Sequence, residues 1–161
     1  MADFAIDDVE LRRAAERDAP GITRLVAAAY GHYRARIGRT PIPMRTDQAA
    51  AIRDHEVWVL AGRDRLVGVL ELVTHHDHLV IENVAVTPVL QGRGLGARLL
   101  DHVETRAREL GIAEIRLYTN ERFVENLAIY ARRGYRETHR TPTGQTALVH
   151  MTKRLEDGPA V

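Results

Sequence analysis

The 161-residue sequence contains no cysteine, one tryptophan, two phenylalanines and a single lysine, Lys153. The absence of cysteine excludes disulfides, thiolate metal ligands and a cysteine nucleophile. It also fits a reducing compartment, and we expect a cytoplasmic protein. No apolar run approaches the ~20 residues that a membrane span needs. The acidic first residues lack the basic and apolar regions of a signal peptide.

The sequence also lacks an excess of either charge. Its 23 basic and 22 acidic residues leave a net charge of +1, which argues against nucleic acid or a membrane as the main partner. A hydrophobic fraction of 45% and a charged fraction of 28% are ordinary for a soluble protein. We expect one domain over residues 9–155, with flexible tails at residues 1–8 and 156–161.

The periodicity of apolar residues predicts the element order β, α, α, β, β, β, α, β, α, β, β. Asp18 and Pro20 predict the start of a first helix that runs to Gly38. A loop with two prolines follows over Arg39–Met44, and Thr46 or Asp47 can cap the next helix. Helices around a central meander of antiparallel strands predict an α+β fold with a mixed sheet.

A glycine-rich segment, Gln91–Gly96, lies between a predicted strand over 79–86 and a predicted helix that runs to Leu110. Free backbone amides and the positive end of a helix dipole make such a junction suitable for a phosphate. The spacing is neither that of dinucleotide-binding folds nor that of a P-loop, because no Gly-Lys-Ser/Thr follows. Taken alone, the three glycines are equally compatible with a tight strand-to-helix turn.

Two blocks of the sequence resemble the GNAT superfamily of acetyl-CoA-dependent acetyltransferases. Asn83–Gly96 is similar to the acetyl-CoA motif of that family, and Glu125–Tyr135 is similar to its late helix with a tyrosine. The resemblance covers nearly the whole chain. It implies a single-domain fold whose sheet of six to seven strands carries about four helices and splays between its fourth and fifth strands.

The resemblance also implies how acetyl-CoA binds. The backbone of the strand would pair with the pantetheine arm, as in the addition of a strand to a sheet edge. Amides of the glycine-rich segment would hold the pyrophosphate. The implied cofactor-binding residues are Val84, Ala85, Val86, Gln91, Gly92, Arg93, Gly94, Leu95, Gly96, Ala97 and Asn126.

Catalysis is assigned to two side chains by the same resemblance. Tyr130 would donate a proton to the leaving CoA thiolate, and Glu82 would accept the proton of the attacking amine. An N–H near Val84 would stabilise the oxyanion. The alternatives are that Tyr130 only packs in the core, with its hydroxyl bonded to backbone, and that Glu82 is a surface residue of a half-exposed strand.

Asn126 departs from the commonest family pattern, which places an asparagine seven residues before the tyrosine. Phe123 occupies that position here, whereas Asn126 lies one helical turn before Tyr130, on the same face. Asn120, at the end of the preceding strand, is a rival for the contact with CoA. It is also suited to cap the helix.

The acceptor end of the cleft would lie between Tyr30 and Met44. Tyr30 and Tyr33 fit the apolar stripe of the first helix, whereas the nearby arginines could bind a carboxylate of the acceptor, and this choice stays open. His75, His76 and His78 fall in a hairpin turn without a distant partner ligand, so we expect no metal.

These features predict an N-acetyltransferase that moves an acetyl group from acetyl-CoA to a primary amine of a small molecule or a protein N-terminus. Without cysteine the amine would attack directly in a ternary complex. The alternative is a non-catalytic acyl-CoA sensor or regulatory module. The resemblance further implies a possible homodimer.

Overall fold

The computed structural model describes residues 6–156. The tails expected from the sequence lie outside the described residues at 1–5 and 157–161, and Ile6–Asp8 form a 3-10 turn. Within residues 6–156 there are seven strands: β1 Glu10–Arg13, β2 Glu56–Ala61, β3 Leu66–Thr74, β4 Leu79–Val86, β5 Glu114–Asn120, β6 Arg136–Thr143 and β7 Thr146–Arg154. The same range holds six helices: α1 Ala19–Tyr30, α2 Arg34–Ile37, α3 Ile42–Arg45, α4 Gln48–Asp54, α5 Leu95–Glu109 and α6 Val124–Arg132.

The strands form one sheet in the order β1-β2-β3-β4-β5-β7-β6, which confirms the predicted α+β fold. Helices cover both of its faces. Val69 and Leu70 point to opposite faces because side chains alternate along a strand. Val69 belongs to the apolar cluster of α1, and Leu70 belongs to the cluster of α5. None of the helices between residues 6 and 156 combines the length and the apolar character that a bilayer crossing requires.

The sheet splays between β4 and β5, as predicted. These two strands run parallel and pair only from Leu79↔Ile115 to Ile81↔Leu117. Beyond that point β4 stays paired with β3 up to Val86, and β5 stays paired with β7 up to Asn120. A gap therefore opens between the second half of β4 and the end of β5.

A β-bulge lies at the start of this gap. In the pairing of β3 with β4, Leu72 faces Ile81 and Glu71 faces Asn83, so Glu82 has no partner on β3. A bulge changes the direction in which the following side chains point, and bulges are common beside functional sites. Glu82, one of the two predicted catalytic residues, is the extra residue.

Three local predictions were wrong. The helix predicted to run to Gly38 breaks after Tyr30 into the 3-10 turn Gly31–Tyr33 and then α2. Ile42–Arg45 is a helical turn rather than a loop, and Pro43 fits because a first-turn residue needs no N–H. Asp18 does not cap α1, because its carboxylate binds Arg12 instead.

Candidate active site

The turn between β4 and α5 presents unpaired backbone amides. Gly92 and Gly94 have φ angles of 79° and 89°, a region in which other residues are strained. In the described chain, Arg98 is the first residue of α5 whose N–H reaches a carbonyl, that of Gly94 at 3.0 Å. The amides of Leu95, Gly96 and Ala97 therefore lack an intrahelical acceptor. The first turn contains neither a capping side chain nor an acidic residue, so the position is open to an anion.

A cleft of about 620 Å³ lies beside this turn. The second half of β4 forms one wall, and α6 and the end of α1 form the others. Ten of the predicted site residues border it: Val84, Ala85, Val86, Gln91, Gly92, Gly94, Gly96, Ala97, Asn126 and Tyr130.

Two predicted residues of the turn do not border the cleft with their side chains. Leu95 is only 2% exposed and packs in the core, and Arg93 is exposed outside the cleft lining. Their predicted roles rest on backbone amides and are independent of side-chain placement. Gln91 ties the turn to β4, because its Nε2 donates to the carbonyl oxygen of Val86 at 3.2 Å.

A second, smaller chamber of about 60 Å³ lies in the gap between β4 and β5. Glu82 borders this chamber and not the large cleft. The end of α2, the loop after it and the turn α3 border the chamber with Ile37, Pro41, Ile42 and Pro43. The cleft and the chamber meet where both are bordered by Tyr30, Val84, Asn126 and Tyr130.

Tyr130 lies at this junction. Its side chain is buried, and among residues 6–156 no group forms a hydrogen bond with its hydroxyl, which disagrees with the alternative that backbone satisfies it. Burial raises the pKa of the Tyr130 phenol, and the nearby Tyr33 raises it further. The phenol is therefore neutral at physiological pH and available as a donor.

Glu82 and Tyr118 face each other across the gap. The hydroxyl of Tyr118 donates to Oε2 of Glu82 at 2.7 Å, which joins the bulge of β4 to β5. Burial raises the pKa of Tyr118, and its hydrogen bond to the carboxylate raises it further. Glu82 is half-buried, so it is not the free surface residue of the alternative interpretation.

The two candidate asparagines have different surroundings. Asn120 is 4% exposed and fully engaged: its Nδ2 donates to Thr146 Oγ1 at 2.8 Å, and its Oδ1 accepts from the amide of Arg122 at 3.0 Å. Asn126 is half-buried and borders both compartments. The bond to Arg122 closes a turn before α6, whose N-cap residue is Phe123 without a side-chain cap, so the capping role considered for Asn120 is wrong. Asn126 is the better-placed residue for a ligand.

The match with known families follows this geometry. Residues 20–135, well over half of the chain, match the Acetyltransferase (GNAT) family. The chain belongs to this family. Among curated proteins it is 32% identical over 78 residues to the uncharacterized protein YxbD of Bacillus subtilis (strain 168). That alignment covers 48% of each protein, so the chain spans about half the length of the curated relative it matches.

Solved structures agree with this assignment. The fold is similar to that of the ribosomal-protein-S18-alanine N-acetyltransferase from Escherichia coli, with a TM-score of 0.76, 18% identity and coverage of 95% of this chain and 98% of that one. The PaiA N-acetyltransferase from Thermoplasma acidophilum, solved with coenzyme A, gives a TM-score of 0.76 at 17% identity and covers 91% and 98%. At such identities the likeness establishes the fold, not the substrate.

Tyr30 is a residue of this GNAT site that sequence reasoning missed. It was assigned to the apolar stripe of α1, and its ring is indeed buried. Its hydroxyl, however, lies 3.0 Å from Oδ1 of Asn83 and 3.1 Å from the carbonyl oxygen of Val84, where it donates. The available signal was that a buried tyrosine hydroxyl needs a partner. Tyr30 thus fixes the β4 backbone at the junction.

Two arginines of the acceptor side, Arg36 and Arg39, have different surroundings. Arg36 forms an ion pair with Glu125 at 2.8 Å, and this lowers the pKa of Glu125 to about 2. Arg39 borders the small chamber. The ring of Tyr33 packs against that of Phe123 with centroids 4.1 Å apart and planes tilted by 35°, as a packing residue would.

The histidine turn shows no metal geometry. Nδ1 of His78 bonds Oδ1 of Asp77 at 2.6 Å, and the His78 ring stacks on His75. Within the described part of the GNAT chain, no group of three or more histidine, aspartate or glutamate side chains is arranged to hold a metal ion.

Proposed function

We propose that this protein is an N-acetyltransferase that moves the acetyl group of acetyl-CoA to a primary amine by direct attack in a ternary complex. One observation carries the proposal. The cleft with free amides and the chamber with a carboxylate meet at Val84, Asn126 and Tyr130. A cosubstrate in the cleft and an acceptor in the chamber would bring their reactive atoms together there.

Acetyl-CoA would lie along the cleft, as its borders suggest. The diphosphate would accept hydrogen bonds from the amides of the turn 92–97, where the dipole of α5 also favours an anion. The amide of Gln91 is already bonded to the carbonyl oxygen of Pro88. The pantetheine arm would pair with the backbone of 84–86, with which β5 forms no strand pairing. The solved PaiA structure holds coenzyme A in a similar fold, which supports this assignment.

The proposed reaction begins with an ammonium ion that loses one proton to Glu82, directly or through a water. The neutral nitrogen then attacks the thioester carbon, a C–N bond forms and the carbonyl electrons move to oxygen. The backbone N–H near Val84 would stabilise that oxyanion. The nitrogen gives its second proton to water, and the oxyanion re-forms the carbonyl as the C–S bond breaks with its electrons on sulfur. Tyr130 donates a hydrogen bond to this thiolate and relays that proton from water to it, so the phenol ends neutral, and Glu82 releases the first proton. The products are the amide, CoA and one released proton.

Tyr130 would act chiefly through hydrogen bonding as the charge develops on sulfur. The conjugate thiol has a pKa of about 8.5, below the ordinary value of about 10 for tyrosine, so complete proton transfer from Tyr130 to the thiolate is uphill. Each unit of pKa difference between the phenol and the thiol adds about 1.4 kcal/mol to the free energy of that transfer. Burial, which raises the pKa of Tyr130, therefore keeps the proton on the phenol until the C–S bond has broken.

Calorimetry with acetyl-CoA, followed by release of free CoA thiol with a panel of primary amines, tests the proposal. The assay is clean, because the chain has no cysteine to react with a thiol reagent. We expect micromolar binding and amine-dependent thiol release. Binding without transfer to any amine would favour the sensor alternative, and absence of binding would refute both. The expected homodimer stays a prediction for sedimentation analysis.

A further inference from the structure

The small chamber is bordered by only two charged side chains among the described residues, Glu82 and Arg39. They have opposite signs. We propose that the acceptor is a small amine that also carries a carboxylate, such as an amino acid with an apolar side chain, and that Arg39 binds this carboxylate. The inference rests on the proposed function, because it assigns the chamber to the acceptor.

Arg39 has a guanidinium that is available to a ligand. Its Nη2 contacts the neutral hydroxyl of Thr143, the last residue of β6, and no carboxylate within residues 6–156 forms an ion pair with it. Nearby arginines are different: Arg36 is paired with Glu125, and Arg140 is paired with Glu121 at 3.0 Å. A guanidinium without a carboxylate partner matches the planar, bidentate geometry of a ligand carboxylate.

The charges of the chamber also select against other amines. An ammonium beside Glu82 would meet its counter-charge, whereas the second ammonium of a diamine would meet the cation of Arg39. Like charges close together repel. A zwitterionic acceptor places each of its charges beside an opposite one.

Apolar side chains in the lining of the chamber indicate an apolar part of the acceptor. Ile37, Pro41, Ile42, Pro43 and Leu148 border the chamber and are apolar. The chamber volume of about 60 Å³ suits a short side chain better than a polypeptide. The N-terminal residue of a protein also lacks the adjacent carboxylate, because a peptide bond has replaced it.

Matched acceptors test the inference. Leucine, leucinamide and 3-methylbutylamine share one apolar body, and only leucine has a carboxylate. We expect kcat/KM to be highest for leucine. Arg39→Ala should raise the KM for leucine about 10- to 100-fold, because it removes the binding free energy of one or two charge-assisted hydrogen bonds. The KM for 3-methylbutylamine should change less than twofold. Comparing one acceptor between two proteins cancels the intrinsic reactivity of each amine.

Two controls separate the possible failures. Arg45→Ala removes an exposed arginine that does not border the chamber, and it should leave all three acceptors unchanged. Calorimetry of leucine binding to the complex of the protein with CoA measures the carboxylate contact without turnover. Arg39-dependent binding without transfer would support the inference and refute the proposed function. Equal effects of Arg39→Ala on leucine and 3-methylbutylamine, or a preference for 3-methylbutylamine, would overturn the inference while transfer itself stands.

Discussion

Replacing Gly94 with alanine separates the binding role of the glycine turn from its folding role. Gly94 has a φ of 89°, and a Cβ built there meets no atom within 4 Å. The substitution therefore costs backbone strain and not a clash. Strain of this kind is worth about 1–2 kcal/mol. For a protein of this size each kcal/mol lowers Tm by about 2–4 °C, so we expect a decrease of about 2–8 °C.

Gly111 provides a matched control at the other end of α5. Its φ is 70°, a Cβ there also meets no atom within 4 Å, and it does not border the cleft. Gly111→Ala should therefore lower Tm to a similar extent. Any difference in ligand binding between the two variants then reports on position and not on stability.

Acetyl-CoA affinity should distinguish the variants. Gly94 borders the cleft, so its added methyl group obstructs the approach of the diphosphate to the turn. Loss of one hydrogen bond to a charged group costs about 1.5–3 kcal/mol. Since 1.4 kcal/mol is about tenfold, Gly94→Ala should raise Kd about 10- to 100-fold, and Gly111→Ala should leave it unchanged. Equal Kd values in calorimetry at 25 °C would refute the assignment of the turn.

Three further substitutions test the site and the fold. Tyr130→Phe should lower kcat about 100-fold with an unchanged acetyl-CoA Kd. Its control, Tyr135→Phe, removes an unpaired buried hydroxyl from the neighbouring ring and should leave kcat and stability intact. Equal kcat values in the two variants would exclude Tyr130 from the mechanism. Glu82→Gln should lower kcat/KM at least about 10-fold, and an unaltered kcat/KM would remove Glu82 as the base. Asp18→Asn should cost about 2–3 kcal/mol of unfolding free energy at pH 7, because it breaks the pair with Arg12. Arg12 lowers the pKa of Asp18, so the stabilisation is present above the ordinary value of 3.8 and is lost as the pH falls through the lower folded value; a cost that persists at pH 2 in urea titrations would contradict this.

The sequence was most informative where structure depends on neighbours along the chain. The strand, turn and helix around Gln91–Gly96 were predicted because apolar periodicity and glycine act locally. Thr46 and Asp47 were both predicted as possible caps, and the structure has Asp47, whose Oδ1 accepts from the amide of Ala50 at 3.1 Å. Asp18 was wrongly predicted as a cap because its partner Arg12 lies on β1, and the sequence does not show that the two side chains meet.

Long-range contacts could not be predicted in this way. The partner of Tyr30 lies 53 residues further along the chain, so its hydroxyl gave no local pattern. The bulge at Glu82 follows from the register between β3 and β4, and alternation along one strand does not reveal it. Arg39 borders the chamber because α2 and α3 bring their connecting loop to the gap, and the sequence left its role open.

A crystal structure of the acetyl-CoA complex tests the central claim most directly. We predict diphosphate oxygens about 2.7–3.1 Å from amides of the turn 92–97. We also predict the thioester between Val84 and Tyr130, with the sulfur within hydrogen-bonding reach of the phenol. Acetyl-CoA bound elsewhere on the sheet, or a diphosphate that contacts only solvent and arginine side chains, would contradict the account.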